Sequence, residues 1–186
     1  KGFAASGSLP KTLTAKTLEA WVMLDHLDQR GGGVMTVQGK NGVLFDSIVF
    51  AEKTPAHWVA GSNFFERSEL FEGEPETEAQ KRPVHIAVTY AADGTITGYR
   101  DGKQYGRSYR KAATAVFDAD QSQILFGCRH GSGGGNKMLS GQILRGRLYD
   151  RALTAAEVAK TSAIDASIVT DAAVVAALST DQRQML

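Results

Sequence analysis

Val84-His85-Ile86-Ala87-Val88-Thr89-Tyr90 is followed by Asp93-Gly94, then by Thr95-Ile96-Thr97-Gly98-Tyr99-Arg100, Asp101-Gly102 and Lys103 to Tyr109. Val84, Ile86, Val88 and Tyr90 alternate with smaller or polar residues, the period of a half-buried strand. Asp-Gly is a favoured two-residue hairpin turn, because both residues tolerate a left-handed backbone. Two such turns about eight residues apart predict an antiparallel meander.

The same chemistry extends in both directions. Thr17 to Leu24 alternates, with Leu18, Ala20, Val22 and Leu24 on one face and Glu19, Trp21 and Met23 on the other. Gly31-Gly32-Gly33 breaks the chain, Val34 to Gln38 reads as a strand, and Asn41-Gly42 turns it into Val43 to Ala51. His57 to Ala60, Ser122 to Arg129 and Leu139 to Asp150 complete roughly nine strands, without helical periodicity between them. That order excludes a doubly wound fold and leaves a sandwich or a barrel. Helix is expected only near the end. Thr154-Ala155-Ala156-Glu157 is a capping box opening a short helix that stops near Lys160. A second helix is expected over Asp171 to Leu178, with a further start at Ser179-Thr180-Asp181-Gln182. The expected division is a sandwich over 1–160 and a helical tail or linker over 161–186.

The 186 residues suffice for one unstapled core. A formal net charge of +1 gives no global attraction to nucleic acid or acidic membrane. No apolar run approaches the roughly 18 residues a bilayer span needs. Cys128 is the only cysteine, which excludes an intrachain disulfide and a thiolate metal cluster. It lies in Ile124-Leu125-Phe126-Gly127-Cys128 and reads as an inert core thiol. The chain opens at Lys1 without Met, so its ends read as boundaries of a piece of a larger protein.

Leu139-Ser140-Gly141-Gln142-Ile143 and Arg147-Leu148-Tyr149-Asp150-Arg151-Ala152-Leu153-Thr154-Ala155-Ala156-Glu157-Val158 resemble the closing strand and helix of bacterial laminin-G-like domains of the concanavalin-A-like superfamily. Lys16 to Val22 is similar to that family's first core strand, and Pro83 to Gly102 to its central hairpin. The resemblance implies an all-β, two-sheet antiparallel jelly-roll sandwich with short C-terminal helices. It also implies a recognition module of an exported bacterial protein, periplasmic or at the cell surface, of the kind that carries c-type cytochrome domains. No Cys-x-x-Cys-His occurs here. Leu144 and Arg145 stand where family members often carry Asp-Glu. Calcium is the cofactor the resemblance raises. It takes six to eight oxygens, and Asp46, Glu52, Asp118 and Asp120 are candidates without a defined loop.

Catalytic patterns are thin. Glu74-Pro75-Glu76-Thr77-Glu78 has the spacing of a retaining glycosidase strand, but Pro75 cannot donate to a central ladder, and a solvated acidic loop is expected. The four histidines show no zinc spacing, and no Gly-x-Ser-x-Gly elbow occurs. The basic, tyrosine-bearing hairpin over 99–111 is expected to pack its rings on the sandwich rather than stack on nucleic acid. No catalytic residue is assigned. The expected function is non-catalytic recognition of a carbohydrate or a protein surface. The candidate contacts are Trp58, Asn63, Arg67, Tyr99, Arg100, Tyr105, Arg129 and His130, Trp58 being equally readable as a core aromatic. Two alternatives are docking against other domains of the parent chain and, further off, glycoside hydrolysis.

Overall fold

The computed structural model describes residues 2–112 and 114–163. The expected helices beyond residue 170 lie outside the described residues. Among the described residues eleven strands are present: β1 (Ala4–Ser8), β2 (Lys16–Leu24), β3 (Gly32–Gly39), β4 (Phe45–Phe50), β5 (Trp58–Ser62), β6 (Val84–Tyr90), β7 (Thr95–Arg100), β8 (Lys103–Gln104), β9 (Tyr109–Arg110), β10 (Ser122–Phe126) and β11 (Gly141–Tyr149). One sheet runs β1-β10-β3-β4-β5 and the other β11-β2-β6-β7-β8, with β9 also on β7. Every pairing is antiparallel.

The sequence alternation sets which face meets which. Leu18, Ala20 and Val22 of β2 and Ile86, Val88 and Tyr90 of β6 meet Ile48 and Phe50 of β4 and Trp58 and Ala60 of β5 in one continuous core. Each period-2 strand thereby contributes every second side chain to the interior. The meander forms as expected over β6, β7 and β8. At Asp101-Gly102 both residues are left-handed, at φ +49° and +75°, while Asn41-Gly42 and Asp93-Gly94 use a left-handed glycine alone.

Two features differ from the sequence reading. β1, Ala-Ala-Ser-Gly-Ser, lacks β-branched and aromatic residues and is exposed throughout. Pairing with β10 makes it a strand, not its own composition. The stretch over 74–78 is not wholly the solvated acidic loop expected, since Glu74 is exposed but Glu76 turns inward. Phe71, Glu76 and Ala79 are buried, and Arg107 N donates to Phe71 O at 2.6 Å.

The single described α-helix, α1 (Ala155–Ser162), starts at the expected capping box: Thr154 Oγ1 accepts from Glu157 N, and the Glu157 side chain accepts from Thr154 N. It covers the outer face of the β11-β2-β6-β7-β8 sheet, where Val158 packs with Ala87, Tyr99 and Leu153. Beside it the buried Glu19 carboxylate accepts from Tyr149 Oη and Thr161 Oγ1 and meets His85 Nε2 at 2.9 Å. His85 is thus a structural histidine opposite the core face.

Candidate functional site

Phe45, Ser47 and Gly61 lie on the outer face of the β1-β10-β3-β4-β5 sheet, with register partner Thr36 opposite Ser47. The chain after β10 folds over this face. Thr36 Oγ1 donates to the carbonyls of Cys128 and Arg129, both at 3.0 Å, and Gly131 N donates to Gln38 Oε1 at 2.8 Å. The crossing needs Gly33: a Cβ there would lie 2.3 Å from Arg129 N and Cα. Arg129 and His130 are thereby laid against the sheet. The His130 ring stacks on Phe45, centroids 4.4 Å apart and 13° from parallel. The Arg129 guanidinium pairs with Glu52, which follows β4 and lies beside Gly61. Both side chains are 11% exposed.

The loop after β5 forms the other wall. Phe64 and Phe65 have left-handed φ of +51° and +57°, unfavourable for a bulky side chain. Phe64 is nonetheless 83% exposed. The loop is held from below. Ser62 Oγ accepts from Arg67 N, Asn63 Oδ1 accepts from Arg67 Nη2 at 2.6 Å, and Tyr109 Oη donates to Arg67 O. Arg67 Nε in turn donates to Asp46 Oδ1 at 2.8 Å, and Asp46 meets the fully buried Lys16 across the core at 2.8 Å. With Val43 on the rim, Phe45, Glu52, Asn63, Phe64, Phe65, Arg129 and His130 line a groove of about 430 Å³.

Electrostatically the groove is balanced. Burial pushes the Glu52 carboxyl up, only partly offset by Arg129 and Lys53. Burial, then the charges of Arg129 and Lys137, lower His130, leaving its imidazole neutral at pH 7.

The eight residues expected from sequence divide. Asn63, Arg129 and His130 come together at this groove. Arg100 and Tyr105 border a separate open cleft with Glu74 and Lys103. Trp58, Arg67 and Tyr99 are corrected to interior roles: Trp58 packs at 4.8 Å from Phe50, Arg67 completes the Asp46 cluster, and Tyr99 lies under α1. Period-2 alternation already turns Trp58 inward with Ala60. Val43, Phe64 and Phe65 were missed, and Glu52 was expected only as a calcium candidate. The adjacent Phe64-Phe65 was a usable signal, since neighbouring side chains leave a strand on opposite faces and only one could enter the core.

Glu76 is enclosed rather than offered to substrate. It accepts from Trp58 Nε1 at 2.9 Å, from Arg100 at 2.9 and 3.0 Å, and from the Glu78 and Ala79 amides. Burial alone would raise its carboxyl, but the bonds from Arg100, Trp58 and the Glu78 backbone outweigh it and hold it at about 2. The calcium candidates do not fit either. Asp46 is paired with Lys16 and Arg67, Glu52 with Arg129, and Asp118 and Asp120 lie on an exposed loop. Among the described residues no three acidic, histidine or cysteine side chains converge on a metal-sized site. No described helix is long and apolar enough to cross a membrane.

A two-sheet lectin-like sandwich, with a loop-walled groove on the outer face of one sheet, is the class this geometry defines. The chain belongs to the concanavalin A-like lectin/glucanases superfamily, whose laminin-G family model matches residues 3–159. The fold is similar to that of a heptameric pentraxin from Limulus polyphemus (TM-score 0.69, 16% identity, 87% of this chain and 75% of that one). Domain 4 of AbnA, an extracellular arabinanase from Geobacillus stearothermophilus solved with arabinotriose, gives a TM-score of 0.61 at 16% identity, over 85% of this chain and 71% of that one. The carbohydrate-binding module of a Ruminococcus gnavus sialidase, bound to α2,3-sialyllactose, gives 0.56 at 10% identity, over 86% and 98%. No curated protein matches the sequence.

Proposed function

We propose that this domain is a non-catalytic recognition module that binds carbohydrate in the groove between Phe64-Phe65 and Arg129-His130, as part of an exported bacterial protein. One observation carries the reading: two adjacent phenylalanines are held outward, against their backbone preference, beside a recessed Glu52–Arg129 pair. Strain of this kind clusters at binding sites, where the surrounding structure maintains it. An exposed ring offers a face to the C–H side of a pyranose, and the carboxylate and guanidinium offer fixed hydrogen-bond partners to its hydroxyls. The similar arabinanase and sialidase modules, solved with sugars, support the same reading. Glu76 supports a non-catalytic role, because both its oxygens are taken up by Trp58, Arg100 and two backbone amides.

A protein surface, including another domain of the parent chain, is the second reading. The exposed Phe64, Phe65 and Val43 favour it. Affinity electrophoresis through gels containing a panel of polysaccharides separates the two. Carbohydrate recognition predicts retardation of the wild type by at least one polysaccharide and its loss in Phe64→Ala, an exposed change that leaves the core intact. No retardation by any polysaccharide would transfer the assignment to a protein surface.

A further inference from the structure

We propose that the outer edge of β11 is a strand-addition site, taking an extended peptide segment of a partner protein that alternates acidic with apolar side chains. The site belongs to the other sheet from the Phe64 groove and does not rest on the carbohydrate reading.

Among the described sheet edges, β11 is the one that is both long and regular. β8 has two residues, β1 slips register between Ala5 and Ser8, and β5 is bridged by Leu70 at Val59. β11 pairs with β2 without a slip from Arg145 to Tyr149. Among the described residues the backbone of Gly146, Arg147, Leu148 and Tyr149 bonds to β2 alone, and none of the four is buried. In an antiparallel strand every second residue turns its N–H and C=O to the same side, so two of these four offer both groups outward. Such a row is a template for a further strand.

The two faces beside this edge specify the strand. On the inner face, Leu148 borders a recess of about 250 Å³ with Leu9, Pro10 and Leu13, and the Lys11–Asp150 pair lies at its rim. Gly146 faces the same way, toward Phe126 and Met35. An added strand sends every second side chain to this face, where an aliphatic group beside Leu148 fills the recess. The outer face is basic. Arg147 is 32% exposed, lies over the Trp21 ring, and has Glu19, 3.7 Å away, and the Tyr149 hydroxyl as polar neighbours. Glu19 is already engaged by Tyr149, Thr161 and His85. Lys160 lines the same cleft as Arg147 and has no ion pair among the described residues. Arg145 also lies over Trp21, and Arg151 is neutralised by Glu157. Carboxylates on the outward side chains of the added strand match this face. The same charges exclude a second copy as the occupant. Antiparallel pairing of two such edges sets an arginine against an arginine, whichever residue from Arg145 to Tyr149 lies on the two-fold, and like charges directly opposite are destabilising.

Amide NMR titration and hydrogen exchange on the whole chain test this. The probes are a short blocked peptide alternating glutamate with leucine, its lysine–leucine counterpart, and the glutamate peptide N-methylated throughout. The expected result is a shift centred on Gly146 to Tyr149 with the glutamate peptide, and slowed exchange at two of these amides. The N-methylated and lysine peptides should bind at least roughly tenfold more weakly. Arg147→Gln is expected to weaken the glutamate peptide about threefold, the loss of one cross-strand charge pair. Should that variant fail to fold, Lys160→Gln, on an exposed position of α1, is expected to act in the same direction. Absence of shifts at these residues with millimolar glutamate peptide would overturn the proposal, as would equal binding of the N-methylated or lysine peptide. So would slow exchange of all four amides without peptide, since the edge would then already be covered. None of these outcomes bears on the Phe64 groove.

Discussion

Glu76 lies in Glu74-Pro75-Glu76-Thr77-Glu78, a stretch that reads as solvated, yet its carboxylate is enclosed by Trp58, Arg100 and two backbone amides. Its neighbours Phe71 and Ala79 have apolar side chains and are tied only through backbone, Leu24 N donating to Ala79 O and Arg107 N to Phe71 O. Glu76 therefore supplies the side-chain hydrogen bonds from this stretch to Trp58 and Arg100. The depressed carboxyl has a direct consequence for stability. Its pKa falls from 4.5 to about 2 on folding, so the unfolded chain binds the proton more readily between those values. The contribution is therefore complete above about pH 4.5 and is lost as pH falls toward 2, amounting to about 3 kcal/mol in full. Glu76→Gln removes the charge while leaving Arg100 in place, and is expected to destabilise by about 3 kcal/mol at pH 7. Urea denaturation at pH 7 and pH 3 checks both parts, because the difference between wild type and variant should shrink at the lower pH. An equal difference at both values would show that the ion pair is not the source.

The loop from Ser62 to Ser68 trades stability for the display of two rings. Its backbone is fixed by Ser62, Asn63 and Arg67, and through Asp46 by Lys16 on the opposite sheet. Phe64 at φ +51° occupies a conformation that glycine adopts without penalty. With the ring 83% exposed, Phe64→Gly loses little burial and relieves the left-handed strain. It is expected to raise stability by about 1 kcal/mol while weakening sugar binding. Thermal melting read beside affinity electrophoresis tests this, and a variant that melts lower would show that Phe64 is held by packing rather than against its preference. Elements such as this loop also mark where the sequence was readable. The hairpin over β6, β7 and β8 was legible because alternation and Asp-Gly are local signals. The α1 start was legible because a capping box spans four residues. β1 was not, since its only strand-forming influence is β10, more than a hundred residues away in the chain. The groove was half legible. Asn63, Arg129 and His130 were expected as contacts, but Glu52 acquires its meaning from a partner 77 residues distant. Trp58, Arg67 and Tyr99 have the right chemistry for contacts and were spent on the interior, which residue type alone does not reveal.

Across the whole molecule the two sheets are joined by polar groups as well as by the apolar core, and these groups set how the fold responds to pH. Lys16 from one sheet and Asp46 from the other meet in the interior, with the Lys16 ammonium 4.4 Å from the Tyr90 ring centroid and 4.8 Å from that of Phe117. On the acid side, Glu76 and Glu19 both have depressed carboxyls. Burial opposes the shift in each, but Arg100 and Trp58 hold Glu76 down, while His85, Thr161 and Tyr149 hold Glu19. Both contributions decline as pH falls below about 4.5 and are lost at the depressed folded values. On the alkaline side burial raises Tyr90, Tyr105 and Tyr109, with Tyr105 reaching about 12. A phenol with a raised folded value keeps its proton longer in the native state, so stability falls as pH rises above 10. Lys16 runs the other way. Burial lowers it despite Asp46, so the unfolded chain holds the proton more tightly and stability rises with pH until the ordinary value of 10.5 is passed. With Tyr99 and Tyr149 also raised, five tyrosines act against one lysine, and above about 10.5 only the tyrosine loss remains. The melting temperature is accordingly expected to be highest between about pH 7 and 10 and to fall on both sides, the lowered His130 adding to the loss below about 6.5 and the raised Glu52 opposing it. Scanning calorimetry across that range measures it. A melting temperature that stays level to pH 12 would mean the tyrosine hydroxyls ionise in place, and that the interior between the sheets is wetter than the enclosed positions of Tyr90 and Lys16 imply.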